Sequence, residues 1–140
     1  MSEQGLNRLS LDSLHMADMK LSRWQYTEMR ALCRQYYDLR REANLLLGPR
    51  GQGIGPAAAA DDARAKYLAK VDMIDRARYM IDGGLWAEAL RLNACDGISY
   101  DHIPQTLLPT SVRWDFFKAR RAFFWALYEL ACGRDPERII

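Results

Sequence analysis

Long apolar runs are missing from this sequence. No stretch reaches the roughly eighteen apolar residues that carry a helix across a bilayer, and no basic segment followed by an apolar one marks a secretory leader. A cytoplasmic location without a membrane partner is therefore expected. Strand signals are missing too, because β-branched residues are sparse and never alternate with polar ones. The expected class is all-α. Cys33, Cys95 and Cys132 lie far apart without any C-x-x-C, and His15 and His102 are distant from each other, so neither a disulfide framework nor a metal site is suggested. Buried, unpaired thiols are the expectation. "GPRGQGIG" is followed by no G-K-[ST] and joins two helical stretches, which makes it a linker and not a phosphate loop. Ser99 and His102 have no third group to orient them. No catalytic residue, cofactor or metal is expected, and the chain is not read as an enzyme.

What is present is helical periodicity. The 140 residues suffice for one modest core, and the net charge of only +2 does not by itself call for a polyanionic partner. From Leu21 to Leu47 there is no Gly or Pro, and Tyr26, Met29, Cys33, Tyr36, Ala43 and Leu47 recur at threes and fours, with Ser22 as N-cap. Gly48 to Pro56 interrupts this with four glycines and two prolines in nine residues. A second helix is expected over 57–82, favoured by Asp61 and Asp62 near its positive end and carrying a stripe of Tyr67, Val71, Ile74 and Ile81. A short loop between two such helices makes an antiparallel hairpin, 21–83. Residues 1–20 read as a flexible N-terminal segment and 134–140 as a tail.

The elements then shorten. Leu85–Cys95 reads as about three helical turns, Asp96–Ser99 as a stop in which Ser99 caps a new short helix, and Pro104 and Pro109 leave room for little more than a turn. The last helix runs from a Thr110 or Ser111 cap to Cys132 and is closed by Gly133. On a helical wheel Val112, Phe116, Phe123, Leu127 and Leu130 form a core side, and Trp114, Lys118 and Arg121 lie opposite. Arg113 and Arg120 flank them beside Phe117 and Phe124. Between Ser111 and Tyr128 four basic residues face one acid, Asp115, so the positive excess is local. Trp86 and Trp125 are expected half-buried, and Trp114 is the tryptophan whose exposure would be informative.

The order "LWAEALRLNACDG", "ISYDHI", "TSVRWDFFKARRAFFWAL" resembles the helix-turn-helix of sigma-factor region four. With "RQYYDLRREANLLLGPRGQG" ahead of it, the whole chain is similar to small phage-encoded transcriptional regulators of the late-gene activator type. The resemblance implies a helix-turn-helix-like module over 84–133 that binds double-stranded DNA in a bacterial host cell. It places Ser111, Val112, Arg113 and Trp114 at the start of a recognition helix, with Lys118 one turn on. Arg120 and Arg121 become phosphate-backbone contacts or hydrogen-bonding supports to the preceding helices, and Tyr100 and Ile103 pack the middle helix. Pro104 and the missing turn glycine depart from the pattern. Two other readings stand beside it: a small terminase subunit that oligomerises for DNA packaging, and a helical protein-binding module without DNA contact, docking on a partner such as RNA polymerase.

Overall fold

The computed structural model describes residues 9–46 and 57–139, and among these the regular structure is helical. The α-helices are α1 (Arg23–Arg34), α2 (Tyr36–Leu45), α3 (Ala57–Met80), α4 (Ala87–Ala94), α5 (Arg113–Ala131) and α6 (Pro136–Ile139). Short 3₁₀ turns lie at Met16–Asp18, Asp82–Gly84, Tyr100–His102 and Gln105–Leu107. The expected Gly48–Pro56 loop lies outside the described residues.

Ser22 caps α1 as anticipated, its hydroxyl accepting from the Gln25 N–H at 3.1 Å while the Gln25 side chain accepts from the Ser22 N–H at 2.8 Å. The single helix expected over 21–47 is broken at Gln35, whose N–H bonds to the Leu32 carbonyl in a tightened turn (3.0 Å). The break has a packing consequence. Met29 and Cys33 belong to α1, which lies on α5 and α4, whereas Tyr36, Leu39 and Ala43 belong to α2, which lies along α3. Tyr36, at the start of α2, donates its hydroxyl proton to Asp75, near the end of α3, at 2.8 Å. Val71 and Ile74 of the α3 stripe are buried; Tyr67 is only partly so.

After α3 the chain reverses through Asp82, Gly83 and Gly84, all at positive φ (48°, 64° and 93°). A side chain on Gly84 would meet the Tyr79 ring at 2.9 Å, so this position requires glycine. Asp82 is one of the few non-glycine types that tolerate such a backbone, and its carboxylate has two uses here. It accepts from the Leu11 N–H at 2.8 Å and from the Trp86 indole N–H at 3.0 Å. Its own N–H donates to the Leu9 carbonyl, beside a lone parallel bridge between Leu9 and Ile81.

These bonds correct one expectation directly. The N-terminal segment read as flexible is packed from Leu9 onward, with Leu9, Leu11, Leu14 and Met19 buried; residues 1–8 lie outside the described part. The tail is packed as well, through the buried Pro136 and an Arg76–Asp135 ion pair.

Helix α5 is the centre of the molecule. Ala122 to Leu127 are six consecutive buried residues, which means buried on every side and not along one stripe. Trp86 and Trp125, expected half-buried, are 2% and 3% exposed. Phe124, expected on a flank, is buried against Tyr26 in an edge-to-face contact, ring centroids 5.1 Å apart. Val112, expected in the core, lies just before the helix and is 52% exposed.

Between α4 and α5 the expected short middle helix is absent, and two 3₁₀ turns lie on either side of Pro104. Proline forces the preceding residue out of helical conformation, and Ile103 is accordingly extended (ψ 130°) with its side chain buried. α4 is two turns long, shorter than expected, because the reversal at Gly84 consumes its start. Gly97 and Gly133 end α4 and α5 at positive φ, as read from the sequence. Val112 holds the N-cap position of α5 without a side-chain bond, and Thr110 substitutes for it by accepting from the Val112 N–H and donating to Asp115.

Replacing Asp82 with Ala should leave the Leu11 and Trp86 N–H groups without acceptors and cost about 1–3 kcal/mol. Urea denaturation measures this loss, and limited proteolysis should show residues 9–20 cut faster than in the native chain.

Candidate functional site

The six residues predicted to meet DNA do not form one surface. Ser111, Arg113 and Trp114 share the exposed start of α5, where Trp114 is 59% exposed. Arg113 pairs with Asp101 at 2.9 Å and lies over the rings of Tyr100 and Phe117, 5.0 and 5.1 Å from their centroids. The Ser111 carbonyl accepts weakly from the Tyr100 hydroxyl at 3.4 Å.

The other three cations are bonded within the protein, although Arg121 is exposed and Lys118 and Arg120 are only partly buried. The Lys118 ammonium donates to the Leu11 carbonyl, and the Arg121 guanidinium donates through Nε to the Met19 carbonyl at 2.9 Å. Both therefore hold the N-terminal segment against α5. Arg120 donates through Nε to the Asn93 side-chain oxygen at 2.7 Å and lies over the Tyr26 and Phe124 rings, supporting α4 and α1. Of the side expected to stay open, Trp114 stands clear, while Lys118 and Arg121 are tied to a segment whose own pattern gives no sign of order.

That segment also completes a cleft. Met16, Met19 and Leu21 from the N-terminal segment, Tyr26 from α1, and Phe117 and Phe124 from α5 enclose about 420 Å³. Arg23, Arg120 and Arg121 stand on its wall, and no carboxylate lines it among the described residues. Several other arginines are matched to acids, Arg78 to Asp75, Arg91 to Glu88 and Asp96, and Arg134 to Glu129. The +2 of the whole chain thus conceals a locally cationic wall. Sequence reasoning assigns Tyr26 to a core stripe and passes over Arg23, Met16 and Met19. The signal present is slight, an Arg-Trp pair directly after the Ser22 cap.

A second polar cluster is structural. Arg78, the one buried charged residue among those described, donates to Asp75 at 2.9 Å and to the Ala87 carbonyl at 3.2 Å. Burial alone would pull this guanidinium down, but hydrogen bonds with Asp75 and Tyr36 outweigh it, and its pKa stands above the ordinary value. Burial, then the Asp75 carboxylate, pushes the Tyr36 phenol up. Every member is satisfied, so the cluster locks α2, α3 and α4 together. Of the thiols, Cys33 and Cys95 are buried as expected; Cys132 is exposed. Hydrogen bonding to Cys95, then burial, drives the Cys33 thiol far above its usual range, which leaves it protonated and inert.

Among the described residues no group of His, Cys, Asp and Glu could hold a metal ion, and no helix is long and apolar enough to cross a membrane. Comparison of the chain with protein-family models, with curated proteins and with solved structures finds no match. Function is therefore argued from the geometry of two places, the start of α5 and the cleft behind it.

If Lys118 serves as a fastening for the N-terminal segment, Lys118→Ala should lower stability by about 1.5–3 kcal/mol, the range for hydrogen bonds to charged groups. Urea midpoints of Lys118→Ala and of the exposed control Lys66→Ala decide this, because only the first should move.

Proposed function

We propose that the protein is a non-enzymatic, all-helical DNA-binding regulator of transcription, of the phage type its sequence resembles, and that it touches the duplex with the start of α5. The observation that carries this reading is the exposure of Trp114 and Val112 beside Arg113 and Ser111, at the end of a helix whose middle, Ala122 to Leu127, is buried. Fully burying a large apolar side chain stabilises a fold by about 1.5–3 kcal/mol, and two such side chains side by side on the surface forgo that gain. A contact surface accounts for them.

The chemistry suits a phosphate backbone and a groove edge. The first N–H groups of a helix have no carbonyl partners within it and carry its positive dipole end, which attracts phosphate. The Arg113 guanidinium, flat over Tyr100 and Phe117, offers a fork that fits phosphate or a guanine edge. Its pairing with Asp101 is little obstacle, since both partners are mostly exposed and such pairs contribute about 1 kcal/mol at most. The reading draws on Ser111, Arg113 and Trp114, with Lys118, Arg120 and Arg121 as supports of the scaffold. The antiparallel hairpin of α2 and α3 would hold α5 from behind, and the two 3₁₀ turns would stand where the family carries its middle helix.

Protein docking is the second reading, favoured by the exposed Leu85 and Tyr79 at the Asp82–Gly84 reversal, a second apolar spot that a DNA contact does not need.

Gel-shift titrations separate the two. Arg113→Ala and Trp114→Ala should each weaken duplex binding by about tenfold, with Arg113→Ala also reducing the salt slope by about 1. Lys118→Ala should leave that slope unchanged. A native chain that fails to stay on heparin at low salt would sink the DNA reading and leave docking on a protein.

A further inference from the structure

We propose that the cleft between the N-terminal segment, α1 and α5 binds a small organic carboxylate with an apolar body. This goes beyond the DNA reading and does not rest on it, because Ser111, Arg113 and Trp114 are not among the residues that line the cleft. The volume, about 420 Å³, lies within the range of small-molecule sites, which run from roughly 300 to 1,000 Å³. The inner surface is apolar and adaptable, because the thioethers Met16 and Met19 line it together with Phe117 and Phe124.

The charge on the wall selects the ligand's other end. Arg120 and Arg121 use Nε for neutral oxygens of Asn93 and the Met19 carbonyl, so the terminal nitrogens of both have no hydrogen-bond acceptor among the described residues. Arg23 is stacked on Trp24, with its guanidinium carbon 5.5 Å from the ring centroid, and makes no ion pair within the described residues. Three cations on an apolar wall without an acid call for an anion. A carboxylate fits because its two oxygens accept the parallel N–H pair of a guanidinium. A neutral ligand would leave the cationic wall unanswered, and a small anion such as acetate would leave the apolar surface wet.

The two halves of the ligand can be tested separately by isothermal titration of the full chain with decanoate, decanol and acetate below the micellar range. Decanoate should bind at one per chain and raise Tm, while decanol and acetate should bind at least about tenfold more weakly. Arg23→Gln, whose side chain supports no other element, should weaken decanoate by about tenfold without changing the urea midpoint. Met16→Trp, which fills the cleft and leaves every arginine in place, should abolish binding. Decanol binding as tightly as decanoate would overturn the carboxylate assignment, and decanoate binding undiminished in Met16→Trp, or absent in the native chain, would overturn the site. None of these outcomes depends on whether the protein binds DNA, so the gel-shift result stands or falls by itself.

Discussion

With Ala122 to Leu127 buried in unbroken succession, α5 cannot be stable in this form unless something covers it on every side. Phe116, Phe123, Phe124, Trp125 and Leu127 are all nearly inaccessible, and each large apolar side chain withdrawn from water contributes about 1.5–3 kcal/mol. Helices α1 and α3 cover two sides. Trp86 and Tyr100 pack on Phe116, α6 lies at the far end, and further cover comes from the segment preceding α1, which has no regular ladder to satisfy its own backbone. Buried carbonyls and amides without partners are costly, and the structure answers them with side chains from the central framework: Lys118 for Leu11, Arg121 for Met19, and Asp82 for the N–H of Leu11. The basic residues of α5 are thus as much a consequence of its central position as its aromatic residues are.

The features legible in the sequence are those governed by neighbours along the chain. Capping by Ser22, the closing glycines at 97 and 133, the curtailing of helix at Pro104, and the buried positions Met29, Cys33, Tyr36, Ala43, Val71 and Ile74 all result from spacing and local chemistry. The features that spacing does not reveal depend on partners far away. The bonds from Lys118 to Leu11 and from Arg121 to Met19 span 107 and 102 residues. A helical wheel assigns basic residues to solvent by default, and no pattern within α5 says that a chain segment lies across them. The break at Gln35 is of the same kind: periodicity continues through it, and only the divergence of partners, α5 and α4 before it and α3 after it, explains why one stripe became two.

Of the candidate site, the sequence marks Ser111, Arg113 and Trp114 at the start of α5, where the structure brings them together on an exposed turn. It groups Lys118, Arg120 and Arg121 with them on charge alone. The structure separates them from that turn, because Leu11, Asn93 and Met19 accept hydrogen bonds from these three and so give them a part in holding the fold. The cleft is illegible for a complementary reason. Its wall is assembled from three stretches, around Met16, around Arg23 and around Arg120, each ordinary by itself, and only their convergence leaves three guanidinium groups without an acid between them.

The two places meet at Phe117. One face of its ring lies under the Arg113 guanidinium at 5.1 Å, and the same residue lines the cleft. Truncating it would remove the platform that flattens Arg113 and would also open the cleft, so a Phe117 variant with altered behaviour could not be assigned to either place. Tyr26 has the same defect on the other side, where it packs on Phe124, lies beneath Arg120 and borders the cleft. Trp114 and Arg23 are free of it. The first is not among the residues that line the cleft, and the second stands on the cleft wall with no bond to another helix among the described residues. Residues that are confined to one surface and carry no part of the fold are the positions at which recognition can be told apart from architecture.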